Sequence, residues 1–275
     1  MSSTWPPAGD LDEASFKACC ATAFESPLLS YLVGPAWRPG GTRLTEEMAL
    51  RLRLGPESLI FDLASGLGET ARLLSSRIGC GIVGLDLSAQ IVRMAARGPI
   101  ADPVPTCPPS FLVGDAECLP LASNSFDAVI CECALSTFPD KRSALKEVAR
   151  VLQPGGRFAM ADVTLEIASL PESLGSVWGR VACLADALPS SGYTGLLEET
   201  GFLVESIVDC RQAARDFLTG IDRRLLLARI GQALGKFALP GVDIKAARAL
   251  LKEALALVDA GQISYAYFLA RTATY

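Results

Sequence analysis

One stretch of the sequence decides the fold: residues 58–71 read SLIFDLASGLGETA, from Ser58 to Ala71. Its first part is a short apolar run of the kind that forms a buried strand. Gly66 and Gly68 follow, and glycine permits a tight turn and a close approach of the backbone to a ligand. The helix predicted to start at Glu69 would offer free N–H groups that favour a carboxylate. The stretch therefore predicts a strand, a ligand-binding turn and a helix.

The same alternation continues through the rest of the chain. Short apolar runs take turns with amphipathic stretches, which is typical of βαβ units and a mostly parallel sheet. The predicted strands are residues 58–63, 81–85, 110–113, 126–131, 156–162, 203–209 and 263–272. The predicted helices are residues 69–78, 89–96, 141–152 and 193–201, with two more amphipathic helices at about 213–236 and 244–260.

This pattern predicts an α/β fold with one Rossmann-like, seven-stranded, mostly parallel sheet. The length of 275 residues, half of them hydrophobic, is enough to bury the core of one elaborated domain. Residues 11–54 have a helical pattern with a break at 34–41, and we expect residues 1–54 to form an N-terminal cap over the carboxyl edge of the sheet. Residues 55–275 would form the Rossmann-like domain, with a helical insertion at about 211–260 before the last strand.

The composition limits the partners of the protein. The net charge is −5 and no long run of Lys or Arg occurs, which argues against binding nucleic acid through many phosphate contacts. No apolar stretch reaches the length of a membrane span, and the start of the chain lacks the pattern of a secretory signal. We therefore expect a cytoplasmic protein with a small-molecule substrate, without nucleic acid or membrane. The apolar C-terminal helices also allow a homodimer.

The histidine and cysteine counts narrow the chemistry. The chain has no histidine, which excludes a Ser-His-Asp triad, a Cys-His pair and every histidine metal site. It has nine cysteines, an odd number, which we expect to be thiols in a reducing compartment. A closed zinc site is hard to assemble without histidine or a C-x-x-C pair. The thiols remain available for packing or for binding a soft ligand.

The glycine turn points to a nucleotide cofactor. Ligands of an open parallel sheet bind beyond the carboxyl ends of the strands. Gly66 and Gly68 lie at the end of the first strand, and Asp86 ends the second, eighteen residues after Gly68. A carboxylate there can accept both ribose hydroxyls of a nucleoside. These residues alone fit either adenosylmethionine or NAD, because the stretch also satisfies the template G-x-G-x-x-G/A.

Further residues in register decide between the two cofactors. Asp62 lies four residues before Gly66, Gly114-Asp115-Ala116-Glu117 follows the third strand, and the fourth strand leads to Glu132. With the segment EVARVLQPGG at 147–156, these residues resemble the motif series of class I S-adenosylmethionine-dependent methyltransferases over roughly residues 52–202. The resemblance implies methyl transfer with S-adenosylmethionine as cofactor, and places Asp115 and Ala116 at the adenine. The cofactor-binding residues that it implies are Asp62, Ala64, Gly66, Gly68, Asp86, Leu87, Asp115, Ala116 and Glu132.

Within that family, the motifs of this chain resemble those of the arsenite and the ubiquinone or menaquinone methyltransferases. Residues 129–136, VICECALS, look like the arsenite methyltransferase segment in which one cysteine binds arsenic, and Cys133 is the matching position. A second such cysteine follows Trp-Gly in that family, and here Trp178-Gly179 is followed by Cys183. Soft thiolates select soft acceptors. The resemblance thus implies catalytic roles for Cys133, Cys183 and Glu132, with the two cysteines holding a thiophilic metalloid. The family's N-terminal cysteine has no clear match in Cys19-Cys20, and its cysteine-rich C-terminus is absent.

Three other interpretations stay open at this point. The cysteines could merely line the pocket of a small-molecule O-, N- or C-methyltransferase, with Glu132, Asp162 or Tyr193 as general base. The chain could instead be an NAD-binding oxidoreductase, or a protein that binds a partner without catalysis.

Cys131 is expected to pack inside its strand. Trp37 could cover the cationic sulfonium or simply pack in a glycine-rich break.

Overall fold

The computed structural model describes residues 17, 25, 31–34, 37–98, 107–167, 170–171, 173–174, 183–233 and 243–274. Their strands are β1 (Leu59–Leu63), β2 (Gly81–Asp86), β3 (Ser110–Val113), β4 (Phe126–Glu132), β5 (Leu152–Leu165), β6 (Phe202–Asp209) and β7 (Ile263–Thr272). These form one sheet in the order β3-β2-β1-β4-β5-β7-β6. Strands β1 to β5 pair in parallel, and β7 is antiparallel to both β5 and β6. The predicted Rossmann-like fold with a seven-stranded, mostly parallel sheet is confirmed.

The helices connect these strands much as predicted. They are α1 (Gly41–Leu52), α2 (Glu69–Ile78), α3 (Ala89–Ala96), α4 (Lys141–Val151), α5 (Ser190–Glu199), α6 (Arg211–Ala233) and α7 (Ile244–Asp259). The predicted residues 234–236 of α6 lie outside the described residues. Helices α6 and α7 precede β7, where the sequence predicted a helical insertion. The division of the chain at residue 54 stays a prediction.

The largest difference from the predicted elements is β5, which extends at both ends of the predicted strand. At its far end it pairs with β7 as far as Leu165 and Ile263, which no local pattern indicates. At its start, Leu152 pairs with Phe126 across an irregularity in the register, so the residue expected to end helix α4 begins the strand instead. Pairing with distant strands thus sets both ends.

The two faces of the sheet bury separate hydrophobic clusters. Met48 of α1 and Leu74 of α2 pack with Ile60 on one face. Phe61 packs with Val148 of α4 on the other face. Neighbouring residues of β1 are therefore buried on opposite faces, as expected for a parallel strand covered by helices on both sides. In the described ranges, no helix has the length and apolar character needed to cross a membrane.

Candidate active site

A cavity of about 180 Å³ opens at the carboxyl ends of β1 to β4. At roughly 10–15 Å³ for each water, it has room for on the order of a dozen water molecules. The predicted site residues that line it are Ala64, Gly66, Asp86, Leu87, Asp115, Ala116, Glu132 and Cys133. Asp62, Gly68 and Cys183 are not among its lining residues. The structure therefore brings most of the predicted residues to one place. Of the other three, Cys183 contacts the lining residue Cys133, and Asp62 and Gly68 lie two residues from Ala64 and Gly66 in the chain.

The glycine turn is fixed by Asp86. One carboxylate oxygen of Asp86 accepts the N–H of Gly66 at 3.0 Å, and the other accepts the N–H of Ser88 at 2.9 Å. Gly68 has φ +73°, and a Cβ there would lie only 2.4 Å from the ring of Phe111. Both the left-handed backbone and the limited space beside Phe111 therefore favour glycine at position 68. Asp86 keeps further lone pairs for a ligand such as the ribose hydroxyls.

Two polar groups beside this turn are buried without a hydrogen-bond partner among the described residues. They are Oδ2 of Asp62 and the hydroxyl of Ser65. Burial, and then the nearby charge of Glu132, raise the pKa of Asp62 to about 8. Buried unpaired polar atoms in a folded protein call for an explanation, and a bound ligand is one. A carboxyl that is hard to ionise alone suits a cationic ligand, such as the methionine end of S-adenosylmethionine.

A lysine from the N-terminal region lines the cavity beside Asp115. Lys17 donates to Asp115 at 2.7 Å and to Glu117 at 2.5 Å. Burial alone would raise the pKa of Asp115, but the hydrogen bond and charge of Lys17 hold it below its usual value. At this residue, the N-terminal region does reach the carboxyl edge of the sheet. No sequence signal singled out Lys17.

A buried ion-pair network surrounds Glu132. Its carboxylate accepts hydrogen bonds from Nε of Arg38 at 2.9 Å and from the hydroxyls of Thr45 at 2.8 Å and Thr70 at 2.6 Å. Arg38 also donates to Glu69 at 3.2 Å, and its side chain is only 9% exposed. Glu132 is thus held by several donors, which suits a positioning role at the cofactor. Its predicted role as a catalytic residue stays a prediction.

Replacing Arg38 with glutamine is expected to lower the free energy of unfolding by about 3 kcal/mol, because it leaves Glu132 buried without its cation. Urea unfolding followed by circular dichroism measures this change. Arg77→Gln is the matched control: it removes an exposed pair with Glu46, which is worth about 1 kcal/mol at most. Equal losses in the two variants would show that the Arg38 pair has no special weight.

The two predicted metalloid cysteines lie side by side. Sγ of Cys133 is 3.9 Å from Sγ of Cys183, although fifty residues separate them in the chain. The thiol contact with Cys183, together with burial, raises the pKa of Cys133 well above its usual value. Cys131 is buried inside β4 and packs with the core, as expected. Trp178, Gly179, Cys19 and Cys20 lie outside the described residues.

Backbone strain is concentrated at this site. Trp37, Ala64, Cys133 and Cys183 all have positive φ, between 53° and 61°. For a residue other than glycine this conformation costs on the order of 1–2 kcal/mol. Such strain gathers at functional sites, where the surrounding structure holds it in place.

Asp162 holds the turn that carries Cys133. Its carboxylate accepts the N–H of Ser136 at 2.8 Å and the Ser136 hydroxyl at 2.9 Å. Burial raises the pKa of Asp162 to about 6, although the hydrogen bonds from Ser136 lower this pKa. The N–H of Cys133 also donates to the carbonyl of Ala161 at 2.7 Å. Cys133 is therefore fixed to β5 both by its own N–H and through Ser136 three residues later.

Comparisons with known proteins agree with this geometry. Residues 61–160 match the model of the methyltransferase domain family. The chain is 32% identical to an O-methyltransferase of Pyrenophora dematioidea over 194 residues, 70% of this chain and 72% of that protein. It is 28% identical to an arsenite methyltransferase of Halobacterium salinarum over 155 residues, 54% of this chain but 38% of that protein.

A solved structure shares the fold. It is phosphoethanolamine N-methyltransferase 2 of Haemonchus contortus in complex with S-adenosylmethionine, with a TM-score of 0.73 and 18% identity. The match covers 92% of this chain and 57% of that one. The cofactor of the present protein is S-adenosylmethionine, and carboxylates predicted to bind it, those of Asp86 and Asp115, line the cavity. The chain belongs to the class I S-adenosylmethionine-dependent methyltransferases.

Proposed function

We propose that this enzyme methylates a soft acceptor, trivalent arsenic or another thiophilic metalloid, held by Cys133 and Cys183. The observation that carries the proposal is the 3.9 Å separation of the two sulfur atoms. One of the two, Cys133, lines the cofactor cavity next to Glu132. Soft thiol ligands select soft acceptors. The similarity to an arsenite methyltransferase supports the same acceptor.

The protonation of the site suits this capture. Arsenous acid has three hydroxyl groups, and two of them can leave as water with the protons of two thiols while two As–S bonds form. One hydroxyl then stays on arsenic. Because each thiol proton leaves within a water molecule, the raised pKa of Cys133 does not oppose the reaction. Binding of a divalent metal ion would instead require the thiols to release their protons.

The residues of the chain position the reactants and exclude water. When bound, S-adenosylmethionine supplies an electrophilic methyl group that a lone pair of the acceptor takes, while the bonding pair stays on the cofactor's sulfur. Asp86 would hold the ribose, and Asp62 with Glu132 would face the cationic end. Asp162 keeps Cys133 in place through Ser136. An acceptor with its own lone pair needs positioning and desolvation more than a base, which agrees with the absence of histidine.

A second candidate is methyl transfer to a hydroxyl of a small organic molecule. It is favoured by the O-methyltransferase relative, of which the chain covers 72%, against 38% of the arsenite methyltransferase. The cysteines would then only line the pocket. Both candidate acceptors are small molecules, which agrees with a net charge of −5 that argues against nucleic acid as a substrate. The cytoplasmic location and the homodimer stay predictions.

Incubating the enzyme with labelled cofactor, a thiol reductant and arsenite tests the proposal. Wild type is expected to form methylated arsenic, and Cys133→Ser and Cys183→Ser are each expected to reduce the rate at least tenfold, because one As–S bond is lost. Cys107→Ser is the control, since that thiol is exposed and lies outside the site. Undiminished methylation in both site variants would contradict the metalloid proposal. Methylation of phenols without methylation of arsenite would favour the second candidate.

A further inference from the structure

Lys17 joins two carboxylates at one end of the cofactor cavity. Its Nζ donates to Oδ2 of Asp115 at 2.7 Å and to Oε2 of Glu117 at 2.5 Å. The side chain of Lys17 is only 19% exposed, although lysine usually extends into solvent. Among the described residues that line the cavity, the other cation is Arg38, which pairs with Glu132. Lys17 is therefore the cation of this end of the cavity, held in place by two ion pairs.

The order of the strands sets which part of the cofactor lies beside Lys17. The strands that open into the cavity follow one another along the sheet as β3, β2, β1 and β4. Asp86, the expected ribose ligand, ends β2, and its carbonyl accepts the N–H of Gly114 at 3.0 Å. Asp115 thus lies one strand beyond the ribose, on the side away from Cys133, which follows β4. The base of the nucleoside is the part of the cofactor that faces Asp115.

Asp115 is the member of this ion-pair group that stays open to a ligand. Its side chain is 37% exposed, against 14% for Glu117. Glu117 is tied on its other side as well, because its Oε1 accepts the N–H of Asp140, just before α4, at 2.9 Å. Oδ1 of Asp115 accepts the N–H of Glu117 at 3.0 Å. Since a carboxylate has about four lone-pair sites, Asp115 keeps acceptor capacity that faces the cavity.

The chemistry of adenine matches this acceptor. Its exocyclic amino group donates hydrogen bonds, and an ionised carboxylate only accepts them. Burial raises the pKa of Asp115, but the hydrogen bond and charge of Lys17 hold it below its usual value. The carboxylate is therefore ionised at neutral pH. A base that carries a carbonyl oxygen in place of the amino group would set two acceptors against each other.

We propose that Lys17 is a positioning residue that selects the base of the cofactor through Asp115. The turn fixes Oδ1 of this carboxylate and Lys17 fixes Oδ2, so that its remaining lone pairs are aimed at the adenine amino group before the cofactor arrives. Such preorganisation removes the cost of ordering the side chain on binding. The inference holds for either candidate acceptor of the methyl group, because it concerns the opposite end of the cofactor.

The test is titration calorimetry of wild type and Lys17→Met with two probes, S-adenosylhomocysteine and S-inosylhomocysteine. The second probe carries a carbonyl where the first carries the amino group. Wild type is expected to prefer the adenosine compound about ten- to a hundredfold, the effect of one hydrogen bond to a charged group. Lys17→Met is expected to reduce this preference by about fivefold or more, because the Asp115 carboxylate then has to be ordered on binding.

Lys245→Met is the matched control. It also removes one positive charge, but from an exposed position on α7 that does not line the cavity. This variant should keep the wild-type preference. Equal weakening of both probes by Lys17→Met would show that Lys17 acts on the cofactor by another route and would overturn the inference. Tighter binding of both probes would overturn it too, since Lys17 would then compete with the base. So would an unchanged preference.

Asp115→Asn tests the contact with the base separately. An amide donates as well as accepts, so this variant is expected to lose about tenfold or more of the preference for the adenosine compound. Thermal midpoints of all variants establish that the fold is retained. A full preference in Asp115→Asn would mean that adenine does not reach this carboxylate, and the role of Lys17 would fall with it.

Discussion

Replacing Asp86 with alanine is expected to weaken the binding of S-adenosylmethionine by about two to three orders of magnitude. A hydrogen bond to a charged group contributes roughly 1.5–3 kcal/mol, and we expect the carboxylate to accept two ribose hydroxyls. The substitution also removes the acceptor for the N–H of Gly66, which holds the glycine turn at 3.0 Å. The loss should therefore exceed that of a single contact.

Titration calorimetry with S-adenosylmethionine and its demethylated product measures this loss. Asp127→Ala is the matched control, because Asp127 also accepts a backbone N–H, from Leu59 at 2.8 Å, but at the amino end of β4. Circular dichroism of both variants would show that the fold is retained. Undiminished binding by Asp86→Ala would show that the ribose is held by other residues.

The elements of the fold followed from local patterns of sequence. Helices such as Glu69–Ile78 and Ala89–Ala96 have the predicted bounds, because capping residues at their ends, Gly68 and Gly79 for the first and Ser88 for the second, are visible in the local sequence. Strand β5 does not, since its length is set by pairing with β7, which lies about a hundred residues further along the chain. Local patterns cannot contain that information.

The residues of the site likewise fall into those that local sequence patterns predicted and those that they could not. Asp86, Asp115 and Glu132 could be predicted because each follows a strand, and the sheet brings strand ends together. Arg38 could not be predicted, because the carboxylates that pair with it, those of Glu69 and Glu132, lie 31 and 94 residues later in the chain. The closeness of Cys133 and Cys183 came from a family resemblance, since no periodicity joins residues so far apart.

The stability of the protein without cofactor is expected to fall between pH 6 and 8 because of Asp62. Its pKa is raised to about 8 in the folded state, from 3.8 as the ordinary value. Between these values the folded state keeps a proton that the unfolded state releases, so raising the pH favours unfolding until the loss is complete above pH 8. At about 1.4 kcal/mol per pH unit, the window from pH 6 to 8 amounts to about 2–3 kcal/mol. Asp162 acts with the same sign, but its contribution is lost by about pH 6.

Urea unfolding of wild type and Asp62→Asn across this range isolates the effect. The chain has no histidine, the side chain that usually titrates there, so Asp62 should dominate the change between pH 6 and 8, with the thiols and the α-amino group contributing only near pH 8. The asparagine variant should show a flat profile and become the more stable protein above pH 8, yet bind the cationic cofactor more weakly. Asp162→Asn should keep the wild-type slope in this window. Parallel slopes for wild type and Asp62→Asn would mean that Asp62 is already ionised in the folded protein, and that its buried oxygen has a partner such as an ordered water.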